Sequence, residues 1–124
     1  MKLDSAKLVA FVTVGSAAHA RAFYRDVLGL KLISEDNFAL VFDASGTTLR
    51  VAIAERVTPA PYTVLGWEVG DIDATVRDLA RAGVRFERYP GMPQDEMGIW
   101  TSPSGARVAW FKDLDGNTLS VSQS

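Results

Sequence analysis

From Lys7 to Val14 the side chains alternate, with Leu8, Ala10, Val12 and Val14 on one side and Val9, Phe11 and Thr13 on the other. A period of two predicts a strand. The period then lengthens. Ser16 offers a capping hydroxyl, and Ala20, Phe23, Tyr24, Val27 and Leu28 recur at helical spacing up to Gly29, a residue suited to the left-handed position just past a helix. Three short apolar runs follow, at about Leu30 to Ser34, Phe38 to Asp43 and Thr48 to Ala54. They are separated by Glu35-Asp36-Asn37 and Ala44-Ser45-Gly46, which favour turns. These runs predict a three-stranded meander. Pro59 and Pro61 mark residues 55–61 as a linker, because proline cannot donate to a central sheet ladder.

The same order then returns. A strand over Tyr62 to Val69 leads to Asp71 as N-cap, a helix carrying Ile72, Val76, Leu79 and Ala80, then Gly83 and further strand-like segments. Val14-Gly15-Ser16 and Val69-Gly70-Asp71 occupy the same strand-to-helix corner in the two halves. Each half reads as a βαβββ unit, so the chain is an α+β tandem duplication. Module one covers about residues 6–55 and module two about 62–123, within a single domain of residues 1–124. The second module carries a long Pro- and Gly-rich loop, Tyr89 to Gly98, of the kind that serves either as a binding loop or as a mobile connection. A last hairpin runs over Ala106 to Lys112, turns through Asp113-Leu114-Asp115-Gly116-Asn117, and returns over Thr118 to Ser122.

Composition narrows the function. A chain of 124 residues with 48% hydrophobic and 23% charged residues matches an ordinary packed domain. A formal net charge of -2 argues against nucleic acid, whose phosphates demand a dense Lys/Arg surface. Cys is absent, which removes thiolate metal sites, a catalytic thiol and disulfides. No apolar run approaches the roughly 20 residues that span a bilayer, and the N-terminus lacks an apolar signal core, so no membrane partner and a cytoplasmic location are expected.

Alternation also sorts side chains by sheet face. Leu49, Val51 and Ile53 form one row of their strand, leaving Thr48, Arg50, Ala52 and Ala54; Leu65, Trp67 and Val69 leave Tyr62, Val64, Gly66 and Glu68; Leu119 and Val121 leave Thr118, Ser120 and Ser122. With Val9, Phe11 and Thr13, the second face mixes apolar surface, hydroxyls, one Arg and one Glu. That mixture reads either as a ligand pocket or as an ordinary solvated face. Trp100 follows the long loop and is the better candidate for an aromatic wall. Trp110 cannot be oriented, since Val108 and Trp110 on one side face Ala109 and Phe111 on the other.

The segment Ala22-Phe23-Tyr24-Arg25-Asp26-Val27-Leu28-Gly29-Leu30, the duplicated βαβββ order and the ending Trp110-Phe111-Lys112-Asp113-Leu114-Asp115-Gly116-Asn117 resemble the vicinal oxygen chelate superfamily. That superfamily includes glyoxalase I, extradiol dioxygenases, fosfomycin-resistance enzymes and bleomycin-resistance proteins. The resemblance covers nearly the whole chain and speaks for the fold rather than for one activity. It implies curved sheets, paired modules around a barrel-like site, helices outside, and a homodimer.

Metal-dependent members place His and Glu ligands on the first and last strands of both modules. By the resemblance those positions fall on Val9, Arg50, Val64 and Ser120, none a usual ligand. A chain with one His cannot build a site of two His and a carboxylate, and His19 reads as an exposed helix residue. Asp113, Asp115 and Asn117 resemble a calcium loop only superficially, because Gly116 stands fourth and no Glu closes the loop. A hard-ion site using Glu68 stays open as an alternative.

No metal and no cofactor are therefore expected. The leading reading is a metal-free, dimeric small-molecule binding protein that sequesters an aromatic or cationic antibiotic or metabolite, using Val9, Phe11, Thr13, Arg50, Tyr62, Val64, Glu68, Trp100 and Ser120. The second is a glyoxalase- or dioxygenase-like enzyme with a displaced or non-His divalent metal, with Glu68 as general base and Tyr62 as donor; Glu68 paired with Arg50 as a structural ion pair is the plainer alternative. The third is a dimerising regulatory domain without a ligand.

Overall fold

The structure, a computed structural model, describes residues 2–124. The chain divides into two compact units, the first ending at Thr58 and the second running from Pro59 to Ser124. Each holds an open, four-stranded mixed sheet and one helix.

In the first unit, β1 (Val9–Val14) leads into a helix, α1, which is α-helical over Ala17–Ala20 and π-helical over Arg21–Val27. Then come β2 (Lys31–Glu35), β3 (Ala39–Ala44) and β4 (Thr47–Ile53), in the spatial order β1-β4-β3-β2. The first strand lies parallel to the last, and the meander is antiparallel. The Ser16 hydroxyl accepts from the His19 N–H at 3.1 Å, which satisfies one free amide at the helix start, and His19 itself is exposed. The widened turn is visible where the Leu28 N–H donates to the Phe23 carbonyl, five residues back, at 2.8 Å. Gly29 closes the helix at φ 75, a conformation costly for any residue with a Cβ. Phe23 and Tyr24 pack edge to face, and Tyr24 reaches Phe42. β1 starts at Val9 and leaves Leu8 outside it and exposed; along the inward row Ala10 is half-buried, and Val12 and Val14 are buried.

In the second unit, β5 (Thr63–Glu68) and α2 (Ile72–Arg81) precede β6 (Trp100–Thr101), β7 (Arg107–Lys112) and β8 (Thr118–Gln123), in the order β5-β8-β7-β6. Asp71 caps α2 by accepting from the Ala74 N–H at 3.1 Å. Gln123, at the end of the last strand, adds a cap that local sequence does not announce: its Oε1 accepts from the Ile72 N–H, and its Nε2 donates to the Gly70 carbonyl, both at 2.9 Å. Ile72, Val76, Ala109, Phe111, Leu119 and Val121 form the buried core between helix and sheet. Each buried aliphatic side chain here contributes about 1.5–3 kcal/mol relative to exposure.

Two irregularities shape the open face of this sheet. A bulge lies between Thr63 and Leu65, where Thr63 pairs with Thr118 and Leu65 with Leu119, so Thr63 joins the face of Thr118 rather than the core row. The fourth strand is also broken. Phe86 bridges to Phe111 and the Glu87 N–H donates to the Trp110 carbonyl; the chain then leaves the sheet and returns only as β6, opposite Arg107 and Val108.

Arg107 on β7 grips Asp73 on α2 through two parallel hydrogen bonds of 2.8 Å, and this pairing, first of all, holds the Asp73 carboxyl below its usual range. Asp36 is lowered as well, by the Phe38 and Ala39 N–H groups and then by the charge of Arg50. A carboxyl with a lowered folded pKa stabilises the fold above its unfolded pKa, and the gain disappears as pH falls through the folded value. The melting temperature should therefore hold between about pH 7 and pH 5 and fall below about pH 4. Asp73→Asn should melt lower at neutral pH and show a shallower acid limb, as followed by circular dichroism melting curves.

Candidate functional site

Cross-strand register decides which side chains meet on the open face of the second sheet. Phe111 pairs with Leu119, and both are in the core; Trp110, paired with Ser120, therefore faces the other way. The same counting sets Lys112 beside Thr118 and Trp100 beside Val108, while β5 contributes Thr63 beside Thr118 and Gly66 beside Ser120. The open face thus carries a polar row, Thr63, Thr118 and Lys112, followed by a second row, Gly66, Ser120 and Trp110.

A cleft of about 630 Å³ opens over this face. Its lining combines the segment Pro59, Ala60, Pro61, Tyr62 and Thr63 with Tyr89, Met92, Trp110, Lys112, Gly116 and Thr118. That size and mixture, aromatic walls with a few polar groups, is what small-molecule sites require. Tyr89 stands edge-on to Trp110 with ring centroids 5.5 Å apart, and Trp100 backs Trp110 at 6.1 Å without lining the cleft itself. Burial, then the charge of Glu87, pushes the Tyr89 hydroxyl pKa up, so this residue stays neutral at physiological pH.

The wall formed by Tyr89 and Met92 belongs to the long loop, which is pinned rather than slack. Gln94 turns its side chain inward: Nε2 donates to the Glu87 and Gly98 carbonyls at 2.9 Å each, and Oε1 accepts from the Tyr89 N–H at 2.8 Å. Asp95 Oδ1 accepts from the Met97 and Ile99 N–H groups, and Arg88 donates to the Glu96 carbonyl. Loop backbone that would otherwise need water is satisfied within the loop, which holds the aromatic wall in place.

The polar end is built differently. Lys112 lies 3.7 Å from Glu87, a loose pair with both side chains partly exposed. Thr118 is only 7% exposed and Ser120 9%, although alternation puts both opposite the core row. Their hydroxyls have no hydrogen-bond partner among the described residues and keep a sliver of open surface instead. Ser120 Oγ stands 2.9 Å from where a Cβ on Gly66 would be, so the glycine leaves room for this hydroxyl on the neighbouring strand.

The residues singled out from the sequence divide between the two units. On the first sheet, Phe11 pairs with Arg50 across β1 and β4; Phe11 is 61% exposed, Val9 and Arg50 are exposed, and Thr13 is half-buried. In the second unit, Tyr62 is 68% exposed and lines the cleft, Ser120 is paired with Trp110 on the same sheet face but lies outside the lining, and Val64 falls in the bulge, exposed and outside the lining. Glu68 ends β5 and accepts the Ser124 N–H at 2.9 Å. Six residues of extended chain span roughly 20 Å, which sets Glu68 well apart from Tyr62 along the sheet. Thr118 lines the cleft from the face that alternation gave it, whereas Trp110, Tyr89, Met92 and Lys112 are lining residues that alternation alone did not single out as a site. The hairpin turn held the missing signal, because it pairs Lys112 with Thr118 and so fixes Trp110.

The side chains at the four ligand-equivalent positions do not fit a transition metal. Val9 and Val64 have no donor atom, Arg50 is a cation, and Ser120 offers a lone neutral hydroxyl. Among the described residues no three His, Cys, Asp or Glu side chains converge as a metal site.

No curated protein matches the sequence. Among solved structures, a glyoxalase/bleomycin resistance protein/dioxygenase superfamily member from Sphaerobacter thermophilus aligns at 22% identity and TM-score 0.75, covering 99% of this chain and 100% of that one. A lactoylglutathione lyase from Agrobacterium tumefaciens aligns at 19% identity and TM-score 0.76, covering 99% and 96%. A glyoxalase/bleomycin resistance protein from Catenulispora acidiphila aligns at 23% and 0.71, covering 97% and 99%. Identities this low speak for a shared fold and not for a shared activity. Residues 6–121 match the model of the Glyoxalase/Bleomycin resistance protein/Dioxygenase superfamily, and the chain belongs to that superfamily.

Proposed function

We propose that this chain binds a planar aromatic small molecule in the cleft of its second unit and does so without a transition metal. The observation that carries this reading is the cleft of about 630 Å³ walled by Tyr62, Tyr89, Met92 and Trp110. Aromatic rings prefer offset or edge-to-face partners, each pair adding about 0.5–1.5 kcal/mol beyond burial, and Met adapts its shape to a ring edge. The pinned loop presents these groups already in place, which lowers the ordering cost of binding. Glu68, the base considered from sequence, stands outside the cleft lining and already accepts a backbone N–H, which favours binding over proton abstraction.

A thermal-shift series with planar aromatic compounds, run with and without chelator, tests the proposal. A compound at a hundredfold excess over its dissociation constant stabilises the native state by about 2.7 kcal/mol, a readily measured shift. The shift should survive chelator and shrink in Trp110→Ala, whose affinity should drop at least about tenfold, the scale of a buried aromatic anchor. A shift that vanishes with chelator, or an unchanged affinity in Trp110→Ala, would sink it.

A further inference from the structure

We infer that the ligand of this cleft is an aromatic anion, a bicyclic ring bearing a carboxylate or similar oxyanion, with its charged end on Lys112, Thr118 and Thr63. The inference rests on the binding reading above and narrows its ligand class. Among the residues that line the cleft, Lys112 alone carries a full charge. A cationic ligand would meet an ammonium there, whereas an anion gains a charge-assisted hydrogen bond. The nearest acid, Glu87, is held 3.7 Å from Lys112 and leaves the other ammonium protons available.

The register supplies the rest. Thr63, Thr118 and Lys112 lie in one transverse row on three adjacent strands, so two hydroxyls and an ammonium converge on one end of the cleft. Thr118 is the telling member. It is 7% exposed, lines the cleft, and its hydroxyl has no partner among the described residues. With no partner among the described residues and a sliver of open surface, the hydroxyl can donate to an acceptor bound in the cleft. The next row on this face lies about 7 Å further along the strands, roughly the length of two fused aromatic rings. That row is Gly66, Ser120 and Trp110, of which Trp110 lines the cleft as an indole wall. One molecule can therefore lay its rings along Trp110 and reach the polar row with its carboxylate.

The test is a fluorescence titration of the whole protein with three matched probes: naphthalene carboxylate, its primary amide, and the corresponding aminomethyl cation. The carboxylate should bind about tenfold more tightly than the amide, equivalent to about 1.4 kcal/mol, and the cation most weakly. Lys112→Met and Thr118→Val should each narrow the gap between carboxylate and amide, with circular dichroism spectra like those of the wild type showing that the variants are folded. Equal binding of carboxylate and amide, tighter binding of the cation, or a preference that persists in Lys112→Met overturns the anion assignment and leaves the aromatic cleft standing. If wild-type protein binds none of the three, the cleft reading fails and this inference fails with it.

Discussion

Asp113→Ala should lower the melting temperature by about 10 °C, corresponding to a loss of about 3 kcal/mol in a chain of this size. Asp113 is 6% exposed and organises the last hairpin turn from within. Its Oδ1 accepts from the Asp115 and Asn117 N–H groups at 2.9 Å each, and its Oδ2 accepts from Asn117 Nδ2 at 2.8 Å. The backbone closes around this carboxylate through Asp113 N–H to Asn117 O at 3.1 Å and Gly116 N–H to Asp113 O at 3.2 Å. Alanine leaves donors near the buried turn without an acceptor, and water recovers only the exposed part of that loss. Asp113→Asn separates charge from geometry. It keeps an acceptor for the two amides but turns an NH₂ towards Asn117 Nδ2, so it should cost less than alanine and be partly rescued by adding Asn117→Asp, which reverses donor and acceptor across the same bond. A double variant no more stable than Asp113→Asn would show that the Asn117 side-chain bond contributes nothing. The turn also sets Lys112 and Thr118, its two flanking residues, opposite each other, so what reads in sequence as a false calcium loop is the element that fixes the register of the polar row.

The legible parts of this fold were those governed by local rules. Ser16 and Asp71 cap helices because a short hydroxyl or carboxylate reaches back to an amide three residues on, and Gly29 and Gly83 end them because the next φ is positive. Alternation placed Leu49 and Val51, and Leu119 and Val121, in the core rows of their strands. The repeat of the βαβββ order followed from those signals alone. The open face was less legible because it depends on pairing at a distance. Both faces of β7 are apolar, one packing on the core and the other forming an aromatic wall, so period-two reasoning has nothing to separate. Only the partners Ser120 and Leu119 on β8 resolve it. The bulge before Leu65 likewise moves Thr63 to the cleft face, with no glycine or proline from Thr63 to Leu65 to mark the shift. Burial of Thr118 and Ser120 runs against their polarity for the same reason: their neighbours cover them, not their own chemistry.

The second large effect is expected at Gly98, where the long loop rejoins the sheet. Gly98 is buried at φ +90, and a Cβ there would stand 3.1 Å from the Phe86 Cβ and 4.0 Å from the Glu87 carbonyl. Positive φ alone costs a side-chain-bearing residue about 1–2 kcal/mol. The close contact adds to it, because a Cβ cannot rotate aside as the tip of a side chain can, and the Phe86 backbone must move instead. Phe86 is held by its bridge to Phe111 and by edge-to-face packing on that ring, centroids 5.6 Å apart, so the displacement passes into the core. Gly98→Ala should therefore cost about 3 kcal/mol, lowering the melting temperature by about 10 °C. Gly91, in the same loop at φ +79, has no atom within 4 Å of the place a Cβ would take, and Gly91→Ala should cost only the φ penalty, about 1 kcal/mol. The comparison isolates the contact from the backbone term. The Gly98 carbonyl also accepts from Gln94, the residue that pins Tyr89, so a shift at the neck loosens the aromatic wall at a distance. Gly98→Ala should then weaken aromatic ligands even where folding is complete, while Gly91→Ala leaves them unchanged; equal stability and equal affinity in the two variants would show that the neck of the loop does not hold the site.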